Sequence, residues 1–261
     1  MHDALRIDDA VQLRAPVMVI GLSGWGNAGD VATFATRYLA EQRDARRFGE
    51  IRAEEFHGYI LHRPVVAIEG GVVRAYQPPQ NELFYARQPD LVILRGVEPH
   101  LRWPRFTDAV LNVATTQAVT RIYTIGGYLA ELPPDAEPPV TASTNADRLI
   151  TELTRLGLQL TDYRGPTSVY SDLLWRARDD ALDVVSLWCP VPLNVQGCYP
   201  KAAYAVLQTL SRLIGLQLDL AGIQRTADAI EADRDAADAS TLDQLIESLQ
   251  RSRDREPTYI R

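Results

Sequence analysis

An unbroken apolar run, Val17-Met18-Val19-Ile20, is followed within four residues by Gly24-Trp25-Gly26-Asn27-Ala28-Gly29. A stripe of Val31, Phe34, Ala35, Tyr38 and Leu39 comes next. Consecutive apolar residues without alternation mark a strand buried on both faces, as in a parallel sheet. Apolar residues three and four apart make one helical face. Strand, glycine turn and helix in that order commit the chain to an α/β fold. A second strand over 51–56 would complete a unit with a right-handed crossover.

The pattern then changes and returns. Val65–Ile68 and Val72-Val73 flank Gly70-Gly71, a pair that supplies the positive φ of a tight hairpin. With a short strand at Leu83–Tyr85, this reads as an antiparallel insertion at the edge of the main sheet. Leu91–Leu94 is again a buried run, and Phe106, Ala109, Val110, Val113 and Ala114 mark a helix. Arg121–Ile125 is the next strand, ending in Gly126-Gly127. The proline-rich stretch 131–139 is a loop or lid, because proline lacks the backbone donor. Asn145 is placed to cap a helix carrying Leu149, Leu153 and Leu156, ended by Gly157. Gly165-Pro166 opens another, with Val169, Leu173 and Leu174 inward. Val184–Trp188 is a strand, 189–200 a loop, and Ala203 to Ile214 the most regular helical stripe. A domain over 1–225 and a helical extension over 226–261 are expected. In the extension Leu242, Leu245, Ile246 and Leu249 form a narrow apolar face on a charged helix, which must cover its own domain or a partner and is expected to be an oligomer interface.

The glycine loop fits the dinucleotide pattern G-x-G-x-x-G, and helix N-terminal amides attract phosphate. Three features oppose that reading. Gly21-Leu22-Ser23 separates strand from motif, Trp25 places an indole where a pyrophosphate approaches, and Asp30 adds negative charge beside it. A nucleophile elbow around Ser23 fails as well, because Trp25 stands where G-x-S-x-G needs glycine. The loop therefore reads as a strand-to-helix turn with Trp25 packed or displayed, and no cofactor is expected.

The net charge of -7 argues against a nucleic-acid surface. Neither a signal-peptide order nor a membrane-length apolar stretch is present, so a cytoplasmic protein is expected. Cys189 and Cys198, expected buried or free, have neither zinc spacing nor His2, His57, His62 or His100 near them in sequence, so no metal site is expected. Lys201 is the only lysine, which points either to a site needing a compact ammonium or to a solvated charge.

Four segments in register, "GWGNAGDVATFA", Ile125-Gly126-Gly127-Tyr128, "GPTSVYSDLL" and "SLWCPVP" leading into "YPKAAYAVLQTLSRLIGLQLDL", resemble the proteasome assembly chaperone 2 family. The resemblance implies a three-layer α/β fold like that of purine nucleoside phosphorylases, with a mixed, mostly parallel central sheet flanked by helices. It also implies a non-catalytic, protein-binding role, a proteasome subunit as partner, and homo-oligomers. The chain departs from the family at Val191-Pro192-Leu193-Asn194, where relatives often carry Pro-His-Tyr. Its Tyr259 stands one place early for the docking tail of some members.

On this reading no residue is catalytic. Trp25, Asn27, Asp30, Gly126, Gly127 and Lys201 are the candidates to face a cleft or partner, since ligands of open α/β sheets sit beyond the strands' carboxyl ends. The alternative is an enzyme binding a nucleoside or other phosphate-bearing molecule at the GWGNAG loop, with Asp30, Glu54 and Glu69 as acids and Lys201 neutralising charge.

Overall fold

The computed structural model describes residues 4–133 and 136–230. It divides into two units, one ending at Leu220 and one beginning at Ala221. In the second, 221–230 are helical. The stripe Leu242, Leu245, Ile246 and Leu249 lies outside the described residues.

Among the described residues the first unit holds eleven strands and five α-helices. The strands are β1 (Leu5–Ile7), β2 (Val17–Ser23), β3 (Arg46–Ile51), β4 (Val65–Glu69), β5 (Val72–Gln77), β6 (Glu82–Ala86), β7 (Leu91–Val97), β8 (Arg121–Ala130), β9 (Thr141–Thr144), β10 (Gln159–Leu160) and β11 (Asp183–Pro192). The helices are α1 (Val31–Gln42), α2 (Trp103–Thr116), α3 (Ile150–Arg155), α4 (Val169–Arg176) and α5 (Pro200–Ile214). Nine strands form one mixed sheet in the order β1-β3-β6-β7-β2-β8-β11-β9-β10. Its centre, β7-β2-β8-β11, is parallel throughout. These are the unbroken apolar runs: Met18, Val19, Leu91, Val92, Ile93 and Leu94 are fully buried, as burial on both faces demands.

Alternation along β2 defines the layers. Ile20 and Leu22 point at α2 and α4, lining a small void with Phe106, Val110, Val169 and Leu173. Gly21, between them, faces the Ala32 carbonyl and Thr36 of α1. Helices α1 and α5 pack together, as do α2 and α4. Helices thus cover both faces of the sheet, the architecture expected from the sequence.

Several local expectations are corrected. The strand after α1 ends at Ile51 instead of beginning there, and it meets β1 and β6 antiparallel. It runs in the direction of β2 but is separated from it by β6 and β7. Charge hides this strand from an apolar pattern: Arg47 reaches Glu50 at 2.6 Å and Glu82 at 2.9 Å, and also bonds Asp8. The β4–β5 hairpin turns at Gly70 and Gly71 with φ of 58° and 79°. It forms a separate two-stranded sheet, not an edge of the main one. Asn145 caps nothing; its side chain bridges to β11, donating to the Leu182 carbonyl at 2.8 Å and accepting from Val184 N at 2.9 Å. Helix α4 starts at Val169, capped by the Ser168 hydroxyl, so Gly165-Pro166 lies before it. Strand β11 continues through Cys189 to Pro192. Its prolines fall beyond Trp188, where the pairing with β9 ends, so the β9 ladder asks no donor of them.

Candidate functional site

The glycine loop leaves β2 and enters α1 through backbone that L-residues rarely adopt. Gly24 has φ 121°, Gly29 59° and Asp30 54°. A side chain at Gly29 would also meet Tyr199 and Val191. Tyr199, just before α5, donates its amide to the Gly29 carbonyl at 2.8 Å, so the start of α5 is fastened to the loop.

Asn27 decides what the loop can do chemically. Its Oδ1 accepts from Ala32 N at 2.9 Å and Thr33 N at 3.2 Å, while its Nδ2 donates to Thr33 Oγ1 at 3.0 Å and Asp30 Oδ1 at 3.2 Å. Two of the α1 amides that a phosphate would need are therefore already bonded to a side chain of the same loop. The nucleotide alternative loses two of its backbone donors.

Glu98, just past β7, holds the loop from the other side. One carboxylate oxygen accepts from Trp25 N at 3.1 Å and the other from Val169 N at 2.8 Å, joining the loop to the start of α4. Glu98 N in turn donates to the Ser23 carbonyl at 2.8 Å. Trp25 is thus fixed by its backbone while its side chain is 63% exposed.

The pairing of β2 with β8 stops at Gly21 and Ile125, and the two strands part. Beyond that point the Leu22 amide donates to the buried Tyr170 hydroxyl at 2.8 Å. Burial raises the Tyr170 phenol above its ordinary value and keeps it protonated. Further out, Asn27 pairs with Gly127 as an isolated parallel bridge. Replacing Tyr170 by Phe strands the Leu22 amide in an apolar setting. The expected loss is about 1–3 kcal/mol, measured as a lower urea midpoint with an unchanged slope.

Gly126 and Gly127 do not end a strand. Both are buried within β8, which runs on to Ala130. The cause is Trp188, directly opposite Gly126 in β11. Its ring lies where a Gly126 side chain would go, 2.5 Å from the Cβ position, and its far edge reaches Gly26. The indole N–H donates to Ser186 Oγ at 2.9 Å, which Thr124 also reaches at 2.7 Å. Tyr170 packs edge-on against the same ring at 6.0 Å.

Lys201, in the first turn of α5, is largely buried and reaches Glu137 of the proline-rich segment at 4.0 Å. Asp30 is exposed beside Asn27. Glu54 lies past the end of β3, and Glu69 is on the separate hairpin. Cys189 and Cys198 are free. Burial pushes the Cys189 thiol up to about 12, which leaves it unreactive at neutral pH. The described residues hold no group of three or more His, Cys, Asp or Glu fit for a metal ion. None of their helices is long and apolar enough to cross a membrane.

At the carboxyl ends of β2, β8 and β11 the surface is apolar and aromatic. Trp25, Tyr128, Leu129 and Leu193 are exposed there. Leu132, Pro133, Pro192, Leu193, Glu131 and Asn194 border an open hollow of about 590 Å³. Glu98, Tyr170 and Trp188, which organise this end of the sheet, are not marked as site residues by sequence spacing. The clue to Trp188 was the pair Gly126-Gly127 inside an apolar strand.

Fold and site together define a mixed α/β protein whose glycine turn is closed on itself and displays an aromatic rim. The profile of the PAC2 family matches residues 21–237. The chain belongs to the PAC2 family. A PAC2 family protein of Streptomyces avermitilis is 31% identical, with 85% of this chain and 95% of that one covered and a TM-score of 0.78. A proteasome-assembly chaperone homologue of Mycobacterium tuberculosis is 30% identical, with 84% and 94% covered and a TM-score of 0.78. An archaeal proteasome activator of Pyrococcus furiosus, 20% identical with 90% and 98% covered, shares the fold at a TM-score of 0.73. No curated protein matches the chain in sequence.

Proposed function

We propose that this chain is a cytoplasmic, non-catalytic assembly chaperone that binds a proteasome subunit and works as a homo-oligomer. The observation that carries the binding surface is Trp25: a large side chain exposed on a backbone that Glu98 and Asn27 hold in place. Exposed aromatic anchors on pre-ordered backbone lose little entropy on binding and tend to dominate interface energies. Tyr128, Leu129 and Leu193 are further exposed apolar side chains at the carboxyl ends of the neighbouring strands. Asp30 and Lys201 supply charge near the loop and at the start of α5, while Gly126 serves by admitting the Trp188 ring and Gly127 by admitting the Ala28 carbonyl and Val31. Membership of a family that includes a proteasome-assembly chaperone homologue supports the partner class.

The test is titration of purified proteasome α-type subunits from the native host against the full chain, followed by calorimetry. Trp25→Ala is expected to weaken binding by about 30-fold, the equivalent of a 2 kcal/mol anchor. Its melting temperature should stay unchanged, because the ring is exposed. A wild-type chain that ignores these subunits would remove the reading. So would thermal stabilisation by a nucleotide or dinucleotide at the glycine loop.

A further inference from the structure

We infer that the far end of β8 is an open strand edge on which a partner lays an extended segment that is both apolar and basic. The inference rests on the protein-binding role proposed above and names what the partner must offer. Strand β8 outruns one of its neighbours. It pairs with β11 to its last residue, Ala130 opposite Pro192. On the other side the pairing with β2 ends at Ile125, and the bridge to Asn27 closes only Gly127, whose amide donates to the Gly26 carbonyl at 2.8 Å. Backbone groups of successive residues point to opposite edges of a strand. Leu129 therefore turns its N–H and C=O the same way as Gly127, about 7 Å further out. No strand among the described residues meets them there. Edges of this kind are usually blunted by lysine, proline or a bulge. Tyr128, Leu129 and Ala130 include neither residue type, and their register with β11 is unbroken.

The side chains around this edge suit an added strand. A Gly126 side chain would meet the Trp188 ring, and one at Gly127 would meet Val31 of α1, so the two faces of β8 are distinct. By alternation Tyr128, 40% exposed, lies on the first face and Leu129, 55% exposed, on the second. A segment laid beside them sets one side chain against each in turn. Strand addition works in this way, with affinity from the main chain and selection from alternate side chains. The edge is also continuous with the Trp25 loop through the bond between Gly26 and Gly127. Beyond Ala130 the chain passes along the open hollow bordered by Glu131 and Leu193.

Charge selects the occupant. Residues 24–30, 131–139 and 193–200, which follow β2, β8 and β11, carry Asp30, Glu131, Asp135 and Glu137 and neither lysine nor arginine. The next base along, Lys201, already lies beside Glu137 at 4.0 Å. A basic segment finds complementary charge at this end of the sheet, and an acidic one meets its like.

The probe is a blocked hexapeptide alternating valine and lysine, titrated into the full chain by calorimetry and by amide NMR. It should bind with a sub-millimolar dissociation constant and slow the exchange of the Leu129 amide. Its counterpart with glutamate for lysine should bind at least about 10-fold more weakly. N-methylation of the valine amides or of the lysine amides, whichever set faces β8, should cost about 10-fold, the equivalent of one hydrogen bond. Leu129→Pro removes the edge donor at a position where proline is tolerated, so affinity should fall by about 10-fold with circular dichroism unchanged. Glu131→Lys is exposed and leaves the backbone alone; it should bring the lysine and glutamate peptides level or reverse their order. No binding at millimolar peptide overturns the inference. So does equal binding of both N-methylated forms and their parent, or of the lysine and glutamate peptides to the wild type. Failure here is separable from failure of the chaperone reading. Proteasome α-type subunits that bind wild type and Leu129→Pro alike overturn the edge and leave that reading standing. Peptides that bind as expected to a chain that ignores those subunits support the edge and remove the reading.

Discussion

Gly126→Ala is expected to destabilise the wild-type fold and to be harmless, or mildly stabilising, once Trp188 is gone. Alanine is ordinarily the better residue in a strand, because glycine loses more backbone freedom on folding. Here the added methyl meets the Trp188 ring at 2.5 Å, and that ring is held by its bond to Ser186, by Tyr170 and by Gly26 behind it. The ring has nowhere to go. Overpacking of this kind costs roughly 1–3 kcal/mol, and each kcal/mol lowers the melting temperature of a domain this size by about 2–4 °C. In a Trp188→Ala background the clash is absent, and the same substitution should change stability by about 0 to 1 kcal/mol in the favourable direction. The sign reversal in a double-mutant cycle is the result that matters. Equal costs in both backgrounds would mean that the glycine serves the strand and not the ring.

That pair also shows what in this chain could be read in advance. Val17–Ile20 and Leu91–Leu94 announce themselves, since strands buried on two faces need apolar residues at every position. The helices α1, α2 and α5 do so by their stripes. Strand β3 does not, because its stability is in Arg47 reaching acids on β1's flank and on β6, 39 and 35 residues away. Gly126-Gly127 and Pro190 look like strand ends and are strand interior: the glycines admit Trp188, Ala28 and Val31, and Pro190 falls beyond the end of the β9 pairing, none of which the sequence places. The same holds for the site. Trp25 and Asn27 lie in a loop whose composition draws attention. Glu98 and Tyr170 act through amides 73 and 148 residues distant. Local spacing reads local capping, whereas the polar groups that fix a turn from outside become visible only once the sheet is assembled.

Acid is expected to weaken the fold through His57, and the effect is separable from general acid denaturation. His57 is 5% exposed, its Nδ1 is buried without a partner, and its Nε2 lies 3.4 Å from Asn81 Nδ2. The Asn81 oxygen is committed to Val97 N at 2.8 Å, so the amide nitrogen faces the ring; Nε2 accepts and Nδ1 carries the proton. A second proton would have to enter an apolar setting beside His100 and His62, whose rings lie 5.3 and 6.3 Å away. Burial first, and those neighbours second, lower the His57 pKa from 6.5 to about 4. Between those values the unfolded chain binds a proton that the folded chain refuses. Stability is therefore full above pH 6.5 and falls as pH drops towards 4, by on the order of 3 kcal/mol. His57→Gln keeps an acceptor for Asn81 and cannot titrate. Urea midpoints for both proteins from pH 7 to 4.5 should diverge, the wild type losing more, while the carboxylates common to both cancel in the difference. Parallel curves would show that His57 gains its proton in the folded state as readily as in the unfolded one. His57 lies between β3 and the β4–β5 hairpin, and the carbonyl of the residue before it, Phe56, accepts from His100 N. The first segment to loosen in acid should then be 52–64, the one that carries the β4–β5 hairpin, detected as early exchange of its amides.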